Sequence, residues 1–114
     1  MSETGTGPWI QMSPTVRRRT TCAGPRMMQM FVELKGGSHL PEHHHHHEQV
    51  IHVVRGRLKV TLDGGNATQD VSAGESLYLA SDRPHAVDAL EDTAVIDTFS
   101  PPREDLLEQD RKAK

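Results

Sequence analysis

Apolar and polar side chains alternate with a period of two through the middle of the chain. In RMMQMFVELK one side carries Met28, Met30, Val32 and Leu34, and in RLKVTL one side carries Leu58, Val60 and Leu62. This period is typical of a β-strand with one buried face. We therefore predict strands in both stretches, and we interpret the methionines as packing residues rather than metal ligands.

Further short apolar runs follow at close intervals, separated by residues that favour turns. The runs are QVIHVV, ATQDV, ESLYLA, HAVDAL and TAVIDTF, and the turns include Gly36-Gly37, Gly56, Asp63 to Asn66 and Ser81 to Pro84. Many short strands without a helical period indicate an all-β sandwich or small barrel. The Asp63 to Asn66 segment predicts a tight hairpin, because its glycines accept positive backbone angles.

The two ends of the chain differ from this central region. We expect one domain over residues 1–114, with a polar arm over 1–14, a barrel over about 15–100 and a short helix over about 101–110. The helix is predicted because Ser100 and two prolines precede acidic residues and then Leu106-Leu107. Arg17, Arg18 and Arg19 form a basic cluster, which we interpret as part of a solvated strand or arm.

Composition excludes several classes of function. The 114 residues have a formal net charge of −3 and a pI near 6.2, which gives no electrostatic reason to expect nucleic acid binding. No apolar run approaches membrane-spanning length, and the first residues lack the pattern of a signal peptide. The single cysteine, Cys22, cannot form an internal disulfide. We expect a cytoplasmic protein.

The segment PEHHHHHEQV, residues 41–50, carries five consecutive histidines. A purification tag is normally terminal, whereas this run lies between two predicted strands. On an extended segment His43 and His45 face the same side, Gln49 follows four residues later, and His85 begins another predicted strand. Three imidazoles and an amide oxygen suit a divalent transition metal such as nickel, zinc, manganese or iron. A solvated or disordered histidine tract remains an alternative.

At these positions the sequence resembles the cupin family. The stretch from Gly37 to Gln49, followed by Gly56, matches the first cupin motif, and the stretch from Gly74 to Ala80 with Pro84-His85 matches the second. The resemblance covers about residues 26–107. It implies a jelly-roll fold, a double-stranded β-helix barrel, with the metal ligands His43, His45, Gln49 and His85 facing the interior.

Two departures from the usual cupin pattern narrow the function. Gln49 replaces the usual glutamate, which leaves the metal site more positive and counts against an iron oxygenase. Asp97 lies between Val95 and Phe99 on a face that should be interior, where a carboxylate is costly unless it has a polar partner or a function. Backbone amides or an arginine would be sufficient partners for a purely structural carboxylate.

These features resemble the small cupins of pectin and alginate catabolism known as the KdgF type. Such proteins convert cyclic unsaturated uronates to their linear keto form, and the resemblance implies pocket residues at Asp97, Phe99 and Arg103. Arg103 would bind the carboxylate of a small anionic substrate, Asp97 would transfer a proton and Phe99 would form a pocket wall. A cupin oxygenase acting on a small organic acid and a non-catalytic metal or ligand-binding module are the alternatives.

The remaining histidines are expected to have surface or packing roles, with pocket-mouth or proton-shuttle roles left open; they are His39, His44, His46, His47 and His52. The strands carry more apolar residues than one small barrel can bury. We therefore expect a homodimer formed through sheet edges, as is common in related cupins.

Overall fold

The structure is a computed structural model that describes residues 6–113, and these residues form two antiparallel β-sheets and one helix. The strands are Ile10–Ser13 (β1), Val16–Ala23 (β2), Met28–Leu34 (β3), His39–His43 (β4), Glu48–Arg55 (β5), Arg57–Leu62 (β6), Ala67–Ser72 (β7), Ser76–Leu79 (β8), His85–Ala89 (β9) and Thr93–Ser100 (β10). A 3-10 turn, Asp63–Gly65, joins β6 to β7, and the helix α1 spans Glu104–Lys112.

From β3 onward the chain crosses repeatedly between the two sheets, as in a jelly roll. The larger sheet has the order β1-β2-β3-β10-β5-β8, and the smaller sheet has the order β4-β9-β6-β7. All the strand pairs are antiparallel. The predicted all-β cupin-type fold with a C-terminal helix is therefore confirmed. No helix within residues 6–113 is both long enough and apolar enough to cross a lipid bilayer.

The core lies between the sheets and is built by the alternating faces that the sequence predicts. Buried side chains of β3 are Met28, Met30, Val32 and Leu34, and those of β6 are Leu58, Val60 and Leu62. In β5 the buried positions include Gln49, Ile51 and Val53, so His52 lies on the outer face. There its Nδ1 contacts Oγ of Ser76 at 2.8 Å.

The two ends of the barrel differ from the predicted boundaries. The arm over residues 1–14 was expected to be polar, yet Ile10–Ser13 pairs with β2 as an edge strand. Its four residues have almost no apolar pattern, so pairing rather than intrinsic propensity specifies it. Residues 1–5 of the arm lie outside the described residues. The helix begins at Glu104 instead of about 101. A residue that precedes a proline disfavours the helical conformation, and Pro101 precedes Pro102.

The interpretation of the basic cluster is wrong for Arg18. Arg17 is exposed and Arg19 is half-buried, but Arg18 has 0% of its surface exposed. The alternation of β2 places Arg18 on the same inner face as Val16 and Thr20, which are also buried. The side chain compensates for its burial by contacts with α1, which are described below.

The turn between the two sheets requires a glycine at position 56. Gly56 has a φ of +87°, a conformation that costs an ordinary residue about 1–2 kcal/mol. A Cβ atom at this position would also lie 2.5 Å from Oγ1 of Thr93 and against the carbonyl oxygen of Asp92. The turn from β5 to β6 therefore has no room for a side chain at position 56.

We predict that Gly56→Ala lowers the free energy of unfolding by about 3–5 kcal/mol, since strain and overpacking add. The matched control is Gly64→Ala, because Gly64 has a similar φ of +70°, yet a Cβ added there would meet no atom of residues 6–113 within 4 Å beyond its own chain neighbours. That variant is expected to lose only about 1 kcal/mol. Urea denaturation measures both, and equal losses would contradict the steric explanation.

Candidate metal centre

Two of the predicted ligands are brought together by strand pairing. His43 ends β4 and His85 begins β9, and these residues are direct partners across the smaller sheet. Their rings lie 4.4 Å apart between centroids. The long sequence separation between the two histidines is therefore closed by the sheet itself.

The third imidazole comes from the segment between β4 and β5. The backbone N–H of Asp82 donates to the carbonyl oxygen of His45 at 2.8 Å, which ties this segment to the turn that leads to His85. One ring nitrogen each from His43, His45 and His85 lies within 4.8 Å of the others. Three imidazoles at such distances can converge on one metal ion.

Backbone carbonyls set the tautomer of all three rings. Nδ1 of His43 contacts the carbonyl of Pro41 at 3.2 Å, and Nδ1 of His45 contacts that of His47 at 3.0 Å. Nδ1 of His85 contacts the carbonyl of Arg83 at 2.8 Å. A carbonyl oxygen only accepts hydrogen bonds, so each Nδ1 carries the proton, and in the neutral ring each Nε2 presents its lone pair.

Gln49 faces this cluster with its side-chain oxygen. Its Nε2 donates to Oδ1 of Asp97 at 3.2 Å, which orients the amide, and its Oε1 lies 3.1 Å from Nε2 of His45. Two acceptors then face each other, which is unfavourable unless a cation lies between them. Nε2 of His85 is buried and has no hydrogen-bond partner within residues 6–113. These residues therefore fit a divalent metal.

The imidazoles of His45 and His85 favour the neutral form that binds metals. Burial lowers the pKa of His45, and the charge of Arg103 adds to this effect. Burial also lowers the pKa of His85. Metal ligation requires neutral imidazole, so both shifts favour binding near neutral pH.

The cluster extends from the interior to the surface. His85 is buried, His45 is half-buried and His43 is exposed, although all three were expected to face the interior. His43 is exposed because β4 ends at this residue and the chain then leaves the sheet. A ligand can therefore approach the cluster from the side of His43.

The other histidines of the run lie around this cluster. His44 is exposed and faces Asp82 at 3.6 Å, and His39 contacts Asp88 at 2.8 Å on the outside of the smaller sheet. His47 is 9% exposed, and its ring packs 3.9 Å from that of His46 between centroids. Burial of His47 was not predicted, because a polar run gives no signal of which member turns inward.

Asp97 is buried on the inner face of β10, as its alternation predicts. Its hydrogen-bond partner within residues 6–113 is the side-chain amide of Gln49, rather than the backbone amides or arginine of a purely structural carboxylate. Burial raises the pKa of Asp97 to about 7, while the hydrogen bond from Gln49 and the charge of Arg103 act in the opposite direction. Asp97 is thus a buried carboxyl that can exchange a proton near neutral pH.

Phe99 and Arg103 complete the same region. The ring of Phe99 is buried and lies 5.8 Å from that of His45 between centroids. The guanidinium carbon of Arg103 lies 5.1 Å from the centroid of Phe99, and its nitrogens donate to both carboxylate oxygens of Asp105 at 3.1 and 2.9 Å. Asp105 is largely exposed, so water can solvate its carboxylate if Arg103 turns to bind the carboxylate of a ligand.

A cavity of about 110 Å³ lies between the sheets beside these groups. Its walls are mostly apolar, and its polar lining residues are His43, Gln49, His85, Asp97 and Arg103. An apolar cavity with a few convergent polar groups is the usual form of a small-molecule site, but this cavity is smaller than the several hundred Å³ that such sites usually have. A larger groove of about 600 Å³ contains none of the histidines, and its Arg17 and Arg55 are both paired with Glu33.

Comparison with known proteins identifies the family. Residues 30–98 match the family described as the cupin domain, which is more than half of the chain. The chain belongs to the cupin family. This cupin is 29% identical over 102 residues to the pectin degradation protein KdgF of Dickeya dadantii (strain 3937), which covers 88% of this cupin and 91% of that protein.

Solved structures agree with this assignment. KdgF from Halomonas sp. superposes with a TM-score of 0.81 at 32% identity, covering 87% of this cupin and 90% of that chain. An RmlC-like cupin from Shewanella frigidimarina superposes with a TM-score of 0.81 at 27% identity, covering 88% of each chain. The resemblance to KdgF-type cupins is therefore confirmed over most of the chain.

We predict that His85→Ala weakens Ni²⁺ binding by more than about a hundredfold, since loss of a group that only orients a ligand already costs about ten- to a hundredfold. The matched control is His39→Ala, which removes an exposed imidazole that pairs with Asp88 outside the cluster. Calorimetric titration of metal-free protein with Ni²⁺ measures both affinities. Similar affinities for the two variants would contradict the assignment of the site.

Proposed function

We propose that this cupin converts a cyclic unsaturated uronate, or a similar small sugar acid, to its linear keto form. The observation that carries the proposal is the buried contact between Gln49 and Asp97, which couples a carboxyl to the imidazole cluster. The similarity to KdgF of Dickeya dadantii and of Halomonas supports it. His43, His45, His85 and Gln49 would hold the divalent metal.

A divalent metal bound by these four neutral groups would supply Lewis-acid chemistry, polarising an oxygen of the substrate. The remaining steps belong to side chains of the chain itself. Arg103 binds the substrate carboxylate through two parallel hydrogen bonds, replacing its contact with Asp105. This arrangement needs a guanidinium, because an ammonium lacks the planar fork.

Asp97 moves the proton that completes the conversion. Opening of the ring breaks the bond between the anomeric carbon and the ring oxygen: the anomeric hydroxyl loses its proton and becomes an aldehyde, and the ring oxygen gains a proton and becomes an enol next to the substrate carboxylate. The keto form arises when a proton is added to the adjacent carbon and the enol oxygen loses its own. The reaction is an isomerisation, so no oxidant and no other reactant is required. Asp97 is suited to this transfer because it is buried, and Phe99 keeps water away from it.

The ligand set also favours this reaction over an oxygenase. Glu48 precedes Gln49 and offers a carboxylate, but it is exposed and accepts a hydrogen bond from Tyr78 on the outer face. The neutral amide of Gln49 therefore faces the cluster. A metal that keeps its full positive charge attracts an anionic sugar acid more strongly than one bound to a carboxylate does.

We predict that Asp97→Asn lowers turnover by about a hundredfold or more, which is typical of a lost general acid–base group. The assay follows the ultraviolet absorbance of unsaturated galacturonate, which disappears with the conjugated double bond. Asp88→Asn is the matched control, because Asp88 is a more exposed carboxylate on β9 that pairs with His39. If the absorbance falls no faster with wild-type protein than in buffer alone, the proposed function is refuted.

Oxygen consumption in that assay with a small organic acid would favour the oxygenase alternative. Tight metal binding without turnover of either kind would favour a non-catalytic binding module.

The metal content of Asp97→Asn must equal that of the wild type for its rate to be informative. Asp97 contacts Gln49 through a single hydrogen bond, so the amide of an asparagine preserves the shape of the cavity.

We predict that Gln49→Glu retains the metal but lowers turnover by about tenfold or more, the usual effect of losing a hydrogen bond to a charged group. The substitution supplies a carboxylate ligand, yet it removes the N–H that Gln49 donates to Asp97 and places two carboxyl groups together. Metal analysis and kcat are measured on the same sample. A metal-loaded variant with wild-type kcat would show that the amide donor is dispensable.

We propose that two copies form a homodimer through an edge of the larger sheet and the exposed apolar residues beside that edge. Val50, Val54 and Tyr78 on β5 and β8 are 36%, 44% and 54% exposed, respectively. β8 is also the last strand of that sheet, so its edge can pair with a second copy. Light scattering should give about twice the chain mass of 12.7 kDa, and a monomer mass would refute the dimer.

A further inference from the structure

The C-terminal helix is attached to the barrel by a buried polar cluster, which we call the Arg18 cluster: Arg18 and Thr20 of β2 with Gln109 and Asp110 of α1. Nη1 of Arg18 donates to Asp110 at 2.7 Å, and Nη2 donates to Gln109 at 2.8 Å. Thr20 donates to the second oxygen of Asp110 at 2.6 Å. Arg18 is 0% exposed and Asp110 is 6% exposed.

The guanidinium of Arg18 contacts one face of the helix over more than one turn. Besides Gln109 and Asp110, it donates to the backbone carbonyl of Leu106 at 3.1 Å. Contacts three and four residues apart fix both the rotation of a helix and its position along its axis. A nine-residue helix is marginal in isolation, so these contacts and the burial of Leu106 determine where α1 lies.

The first turn of the same helix carries residues of the candidate site. Arg103 immediately precedes α1, and its carbonyl accepts the N–H groups of Leu106 and Leu107 at 3.1 and 3.0 Å. Leu106 and Arg103 both line the cavity. Any shift of α1 on the barrel therefore moves the guanidinium of Arg103 relative to the cavity.

We propose that Arg18 and Asp110 are positioning residues that hold Arg103 at the cavity where it meets the substrate carboxylate. This inference rests on the proposed function, because it assigns Arg103 to substrate binding. Gln109 and Asp110 lie near the C-terminal end of α1, whereas Arg103 precedes its first residue, so the cluster acts through the helix. Its effect is on binding of the anion rather than on the proton transfer at Asp97.

A purely structural role would not require this chemistry. Removing two charges from water is costly, and apolar residues of similar volume often stabilise a fold as well as a buried ion pair does. An ion pair with additional hydrogen bonds, in contrast, specifies one orientation. The variant Arg18→Met/Asp110→Leu keeps the volume and removes that orientation.

The expected result is a KM for unsaturated galacturonate raised about tenfold, the usual cost of a misplaced hydrogen bond to a charged group. The kcat is expected to stay within about threefold, because lost ground-state binding acts on KM. Metal content and melting temperature are expected to match the wild type. If this variant does not fold, Asp110→Asn, which keeps the shape of the side chain, should raise KM in the same direction by about threefold.

A double-mutant cycle with Arg103→Ala tests whether the cluster acts through Arg103. In the Arg103→Ala background the cluster variant should raise KM no further, since residues that act through one group are not additive. The matched control is Arg17→Met/Glu33→Leu, the same two changes in the ion pair on the outer face of β2 and β3. This control should leave KM unchanged.

An unchanged KM in a folded cluster variant, or an additive effect in the cycle, would overturn the inference. Wild-type protein without turnover would instead refute the proposed function. In that case, calorimetry measures the Kd for galacturonate, a saturated uronate that cannot react. This Kd replaces KM in the same double-mutant cycle. Weaker binding in the cluster variant would support the inference without catalysis, and equal binding would overturn it.

Discussion

The site is organised by lone pairs that converge without a proton between them. Three backbone carbonyls take the Nδ1 protons of His43, His45 and His85, which turns each Nε2 into an acceptor. Gln49 adds an acceptor oxygen, because Asp97 takes its N–H. A divalent cation at the centre would satisfy all four groups at once, including the buried Nε2 of His85, which has no hydrogen-bond partner within residues 6–113.

Gln49 links the two halves of the candidate site. An amide has an acceptor and a donor on one rigid group, whereas a glutamate at this position would have acceptors only. The acceptor faces the imidazoles and the donor faces Asp97. An amide at this position can therefore serve a cation and a carboxyl with one side chain, which the usual cupin glutamate cannot do.

Strand parity made much of this site predictable. Gln49 lies on the inner face of β5, and the inner face of β10 carries Asp97 and Phe99. Parity does not place His45, because β4 ends at His43 and His45 lies in the segment that follows. Gly56 could be predicted from a different signal, because the family motif and a turn both require a glycine there. Short-range sequence rules therefore suffice where a residue's direction depends only on its own strand.

Other features depend on contacts that no local pattern records. Arg18 is read as solvated because arginine usually is, yet its partner Asp110 lies 92 residues away. Likewise, the strand at Ile10–Ser13 is specified by its pairing with β2. Burial of His47 and exposure of His43 follow from where β4 ends, which a run of identical residues cannot reveal.

The central claim is tested most directly by anomalous diffraction from crystals grown with Ni²⁺. We predict one strong peak per chain, bounded by Nε2 of His43, His45 and His85 and by Oε1 of Gln49. A peak among His44, His46 and His47, or a peak that the side chain of Gln49 does not reach, would contradict the account.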